Sequence, residues 1–512
     1  MLSLAFLCAR KVVSDHASTR RALDFIPEEL YPELFKAAFL DKKTLVVQDL
    51  VQRWPFSVLS FQKLLHGDRG PAQPRGQPSK QCVQTVILGV TAYLSHALTK
   101  EDGGGPARKG HLRLLDMTGI LDDGLERDPD TMSVWSRTVT LAKACIDVSK
   151  RCSEDGIRLT KRRRGSDKDD SAGTPAAFNP SVHVDVRVDL FVNSTSYSVL
   201  REALLVSSQS PLRLQCRDLW AEELSLRSTA ELLELLNPSG VRLIDLRFNN
   251  LGLVGLNILL PRMAKFVGLK SLKLPYSNVD VRRLSPAMEE GLQRFASHLG
   301  QLCALKELNL GSSRLSGRLR QLLSCLQKPL ESLELAFCSL LPVDLCFLSQ
   351  SFHVCSMKKL DLSGNNLSEI LLQPFRQLLV EVSHCLIHLD VIECKLTDAH
   401  LAVIAPALCR CSRLRYLGLF CNPISSKGLK TLLQDLLPLP DLRQVVYPFP
   451  VDCCSDFVPW PSSSPALDVS FEQTKLAQVA TELQQMLVSA QRTDVIWTTD
   501  MCKHRSLDYL SF

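Results

Sequence analysis

One phrase recurs seven times between Val241 and Ile424, and it leaves a chain few ways to fold. Its plainest copy is Met357-Lys-Lys-Leu360-Asp-Leu362-Ser-Gly-Asn365-Asn-Leu367, with apolar residues at positions 1, 4, 6 and 11 and a small polar residue at 9. The other copies begin at Val241, Leu269, Leu305, Leu330, Leu386 and Leu414, so successive starts lie 28, 36, 25, 27, 29 and 28 residues apart. Leucines two apart, as in Leu308/Leu310, Leu333/Leu335 and Leu417/Leu419, point to one side of a strand. A helical spacing follows the phrase, as in Leu429, Leu432, Leu433 and Leu436 after Ser425-Ser426. No such strand and helix buries its apolar face alone, so the copies must stack. This is the leucine-rich-repeat pattern, and it predicts an α/β solenoid, a horseshoe whose strands line a concave face. The position-9 residues Asn249, Ser277, Ser313, Cys338, Asn365, Cys394 and Asn422 are small or amide side chains suited to bonding backbone where the chain leaves the strand.

The rest of the chain reads as caps and approaches to this array. Residues 1–68 read as a helical N-terminal region, with Pro27 opening a helix and a second helical pair from Leu45 to about Leu65 broken at Trp54-Pro55. Residues 69–150 read as a degenerate early repeat, with a loop at Gly103–Pro106 and a strand at His111–Met117. Residues 151–181 lose their apolar content and read as a disordered loop. The array itself is expected over 182–445. It opens with the strict alternation Val182–Val188, a partial repeat at Leu212, Leu214 and Leu219, and a capping box at Ser228–Glu231. Residues 446–512 read as a C-terminal cap: a turn at Tyr447–Pro450, a Pro-rich loop at Trp460–Pro465, and a helix from Phe471 to about Ala490 with Leu476, Val479, Leu483 and Leu487 on one side.

Several function classes are disfavoured. The longest stretch without formal charge, Gln81–Thr99, is too polar to span a bilayer comfortably. The apolar start lacks a basic leading segment and reads as a helix, with a secretory signal as the lesser alternative, and a cytoplasmic protein is expected. Lys161-Arg-Arg-Arg164 is a candidate nuclear-localisation run, although Asp167, Asp169 and Asp170 nearly neutralise it. The 18 cysteines include no Cys-x-x-Cys pair, and they read as small buried residues; neither metal nor cofactor is expected. No phosphate loop, His-Glu-x-x-His or Gly-x-Ser-x-Gly is present, and no catalytic residue is assigned.

The expected work is therefore binding. The central outward positions of the strands are Asp245, Lys273, Asn309, Glu334, Asp361, Asp390 and Gly418, flanked by Phe248, Tyr276, Phe337, His388, Tyr416 and Phe420. Aromatics beside carboxylates suit a protein partner better than nucleic acid, which requires a basic stripe; the net charge of +6 is mild.

Ahead of the array, Leu4, Cys8 and Val12 fall at intervals of four, one stripe of a helix. Ile26-Pro27-Glu-Glu-Leu30-Tyr-Pro-Glu-Leu34-Phe35 follows, and with Leu50–Phe56, Val186–Val192, Gly317–Leu323 and Val446–Pro450 the chain resembles the PRAME family over nearly its whole length. That resemblance implies more than a fold. PRAME-type proteins are similar to substrate receptors of cullin-2 ubiquitin ligases, which hold elongin C through a BC-box and the cullin through a nearby cullin-2 box. Ser3, Leu4, Cys8 and Val12 match the fixed positions of the first; Ile26, Pro27, Leu30 and Leu34 match the second. The resemblance implies elongin B-C and cullin-2 as partners, with an unknown protein substrate on the solenoid. The rival expectation is a non-catalytic scaffold or inhibitor of a signalling or transcription regulator, acting without a ligase.

Overall fold

The computed structural model describes residues 3–66, 79–100, 112–120, 130–163, 182–282, 285–454 and 472–500. The chain divides into two compact units, Met1–Val241 and Arg242–Phe512. Residues 182–241 of the expected array therefore fall in the first unit.

In the second unit each phrase forms a three-residue strand: β5 (Leu243–Asp245), β6 (Ser271–Lys273), β7 (Glu307–Asn309), β8 (Ser332–Glu334), β9 (Lys359–Asp361), β10 (His388–Asp390) and β11 (Tyr416–Gly418). Two more follow, β12 (Gln444–Val446) and β13 (Ile496–Thr498). All pair in parallel with their sequence neighbours, in a register that aligns Ile244, Leu272, Leu308, Leu333, Leu360, Leu389, Leu417, Val445 and Trp497 across the sheet. The repeat dictates this result. Its position-4, -6 and -11 residues, such as Leu360, Leu362 and Leu367, are all buried. The helix Ser426–Leu436 buries the four leucines expected of it, with the Ser425 hydroxyl accepting from the Gly428 N–H at its start. The longer spacing between Leu269 and Leu305 accommodates the helix Pro286–Gly300.

The position-9 residues divide by chemistry. Asn422 donates to the carbonyls of Val391 and Leu419 at 2.8 and 2.7 Å, while its Oδ1 accepts from the N–H groups of Cys394 and Leu396. Asn365 does the same with Leu335, Leu362 and Leu340. The Cys338 and Cys394 thiols donate to Leu310 and Leu362. The hydroxyls of Ser277 and Ser313, one atom shorter in reach, find no protein partner.

The first unit also pairs its strands in parallel, two of them short, β1 (Val58–Ser60) and β2 (Leu114–Asp116), and two long, β3 (Val184–Val192) and β4 (Leu212–Ala221). The break at Trp54-Pro55 leads into β1, a strand that the sequence pattern hid because a helix begins at once after it. The helix Val134–Arg163 runs on through residues 151–163, into the segment expected to be disordered; Arg164 to Ser181 lie outside the described residues, as do the loops at Gly103–Pro106 and Trp460–Pro465. The expected capping box also shifts. Ser225, not Ser228, caps the helix Leu226–Leu235, and Glu231 instead accepts from Arg201 and Tyr197. No helix among the described residues is long and apolar enough to cross a membrane.

Candidate functional site

The first helix, Leu4–Val12, starts where the Ser3 hydroxyl accepts from the Phe6 N–H at 3.1 Å. Two apolar stripes interleave on it. Phe6, Ala9 and Val13 are buried and dock it, with the Lys36 ammonium 5.9 Å from the Phe6 ring centroid. Leu4 is 77% exposed and Val12 39% exposed, and the Cys8 thiol is exposed as well. The BC-box-like residues thus face outward, on a helix already anchored by other side chains.

The second segment is only partly exposed. Pro27 leads a 3-10 turn, Glu28–Leu30, which runs into the helix Tyr31–Leu40. Pro27 is exposed, Leu30 is 45% exposed and Ile26 is half-buried. Leu34 corrects the expectation that all four residues face a partner: it is buried with Phe35. Phe35 itself packs 5.6, 5.7 and 6.2 Å from the rings of Phe39, Trp54 and Phe61. Leu34 lies on the helix Tyr31–Leu40 and shares its inner side with Tyr31 and Phe35, whereas Leu30 ends the 3-10 turn before that helix and stays outside. Phe25, 88% exposed, stands beside this segment outside any periodic stripe, so no sequence pattern marks it.

On the strands, several residues expected to face outward turn to one another instead. Strands roughly 4.8 Å apart bring the side chains of neighbouring repeats within bonding range. Glu334 accepts from Asn309 at 2.9 Å and from Lys359 at 3.0 Å. His388 is buried, bonded to Asp390 at 2.5 Å and stacked on Tyr416 with ring centroids 4.1 Å apart. Burial, reinforced by Lys359, holds its imidazole well below the usual histidine range. Burial, then the neighbouring Asp390, raises the carboxyl of Asp361 to about 7. Gly418 completes this packing, since a Cβ there would lie 2.2 Å from Asp390 Oδ1. Asp245 is buried and held by Arg247 at 3.0 Å. Asp245, His388, Asp390 and Tyr416 are therefore corrected from partner contacts to structural groups. Phe420 is half-buried against Phe449. Phe248, Tyr276 and Phe337 remain about half exposed, and Lys273, Glu334 and Asp361 partly so.

Comparison with known proteins matches residues 2–70 to the PRAME N-terminal domain and 186–510 to the PRAME C-terminal domain. The chain belongs to the PRAME family. Leucine-rich repeat-containing protein 14 from Xenopus laevis is 69% identical over 513 residues, covering all of both chains. The Mus musculus and Homo sapiens proteins of that name are 48% and 47% identical, also over the full length of both. Among solved structures, the leucine-rich repeat-containing protein LegL7 from Legionella pneumophila aligns with 61% of this chain and 96% of its own, at 17% identity and a TM-score of 0.36. The PRAME N-terminal match contains both the Leu4–Val12 helix and the Ile26–Leu34 segment. The PRAME C-terminal match contains β5 to β13. Among the described residues, no group of three or more His, Cys, Asp or Glu side chains is placed to hold a metal ion. Buried thiols such as Cys338 and Cys411, pushed up to about 12 by burial, are poor ligands and poor nucleophiles.

Proposed function

We propose that this PRAME-family protein is a non-catalytic substrate receptor: its N-terminal helices engage elongin B-C and cullin-2, and its repeat array holds a protein substrate. The observation that carries this reading is the division of labour on Leu4–Val12, where Phe6, Ala9 and Val13 are spent on docking and Leu4, Cys8 and Val12 are left outside. An exposed leucine at the start of an anchored helix is preorganised to fill an apolar pocket, and little order is lost on binding. Burying the Leu4 side chain in such a pocket contributes about 2 kcal/mol, roughly 30-fold in Kd. Cys8, one turn further along, leaves room for close approach. Pro27 and Leu30 supply the cullin contact, and Leu34 supports it from inside. Transfer of ubiquitin would then be accelerated by proximity alone, with the chemistry supplied by the ligase.

Capture of elongins B and C and cullin-2 from cells tests this. Wild type should bring down all three, Leu4→Ala/Cys8→Phe should lose them all, and Pro27→Ala/Leu30→Ala should lose cullin-2 alone. Folded wild type that captures none of them overturns the receptor reading and leaves the N-terminal helices as a cap.

A further inference from the structure

The turns after the strands carry an arrangement that packing alone does not require. At position 8 of the phrase the backbone enters the left-handed region in all seven repeats: Phe248 at φ 59°, Tyr276 at 57°, Ser312 at 59°, Phe337 at 56°, Gly364 at 68°, Glu393 at 54° and Cys421 at 56°. Glycine or asparagine relieves such a position; an aromatic ring does not. Yet Phe248, Tyr276 and Phe337 stand there, each about half exposed. The rings part into two groups. Tyr276 stacks on Phe248 with centroids 4.6 Å apart and planes at 20°. Phe337 leans the opposite way, over Gly364, where a Cβ would lie 2.1 Å from its ring. Between them stands Ser312, whose turn is bonded to Tyr276 on one side through Gly311 and to the Phe337 turn on the other through Ala336. Tyr276 and Phe337 are separated by two strand spacings, about 10 Å. One ring sits between two others when it lies about 4.5–7 Å from each centroid, so the gap is the size of a single aromatic guest.

Charge names the guest's neighbours. Two residues after Ser312, Arg314 shares the carboxylate of Asp280 with Arg282, at 3.4 and 2.7 Å. Both guanidinium groups are about half exposed, and two cations on one anion leave this edge of the gap positive.

We propose that the gap between Tyr276 and Phe337, floored by Ser312, is a recognition slot for one aromatic side chain of an acidic protein segment. This rests on the reading that the array binds a protein. The slot supplies the apolar anchor, and the Arg282/Arg314 edge selects carboxylates beside it.

Panning a random-peptide phage library on the purified full chain tests the proposal, with fluorescein-labelled copies of the selected peptides giving affinities. The expected consensus is one aromatic residue flanked by Asp or Glu. Tyr276→Ala/Phe337→Ala should weaken the peptides by about tenfold or more, and Arg282→Glu/Arg314→Glu should select basic flanks instead. Ser312→Asn, a residue that tolerates positive φ, should fill the floor and weaken binding while the array melts as wild type. A consensus without an aromatic residue, no enrichment at all, or peptides indifferent to both Tyr276→Ala/Phe337→Ala and Ser312→Asn overturns the slot. So does tighter binding of an oligouridylate that depends on the same rings, which would assign them to nucleobases. Elongin capture, read in parallel, is unaffected by these variants, so failure of the slot and failure of the ligase reading are seen separately.

Discussion

At the residue scale, the same repeat position does different work with different side chains. Asn365 and Asn422 each satisfy both carbonyls and N–H groups of adjacent turns, whereas the hydroxyls of Ser277 and Ser313 meet no protein partner. Asn422→Ala should therefore cost about 2–4 kcal/mol in denaturant unfolding, because buried backbone groups lose their partner. Ser313→Ala should stay within about 0.5 kcal/mol; equal costs for the two would contradict the bonding described. A pH prediction belongs here too. The Asp361 carboxyl is raised in the fold, by burial and then by Asp390, to about 7, against about 3.9 unfolded. An acid raised in this way keeps its proton longer in the fold. Its contribution to stability thus falls as pH rises from about 4 to about 7 and stays flat above that. Asp361→Asn retains an acceptor for the Ser363 N–H and cannot ionise, so its stability relative to wild type should be greater at pH 8 than at pH 5. A difference independent of pH would show that Asp361 does not titrate in this window.

At the element scale, the first helix shows what periodicity can and cannot say. Leu4, Cys8 and Val12 were legible as a stripe, but Phe6, Ala9 and Val13 form an equally good one, and only packing against Tyr31–Leu40 decides which is inside. The same ambiguity placed Leu34 outside, where its neighbours Tyr31 and Phe35 take it inward. Phe6→Ala should undock the helix, seen as faster amide exchange over residues 7–13, while Leu4→Ala should leave exchange there unchanged. Slowed or unchanged exchange in Phe6→Ala would place the docking contacts elsewhere. On the strands, the outward direction of each position was legible, but the partner it meets was not. His388 and Asp390 share one strand, but Tyr416 lies on the next, as Asn309 and Lys359 lie on the strands either side of Glu334, and pairing across repeats appears in no single phrase.

At the scale of the molecule, spacing carried the repeat architecture while composition carried almost none of it. Seven phrases became β5 to β11, but β1 and β13 have no leucine pattern and were invisible until neighbouring strands supplied their hydrogen bonds. In an array each repeat touches only its neighbours, so damage should stay local. The end of the second unit offers the clearest test. Arg492, after the helix Gln473–Ser489, donates to the carbonyls of Leu437, Leu439 and Leu442 at 2.5–3.1 Å, and so fastens β13 and that helix to the last repeat. These carbonyls follow Ser426–Leu436, where no further phrase exists to cover them. Arg492→Ala should cost about 2–3 kcal/mol locally, since each lost bond is charge-assisted but the site is partly wet. Amide exchange should then speed up in β13 and β12 and in the helix Gln473–Ser489, fade by β10, and leave β5 to β8 as in wild type. Uniform acceleration across all of these strands would mean that the second unit opens as a single cooperative body, and the nearest-neighbour account of its stability would fail.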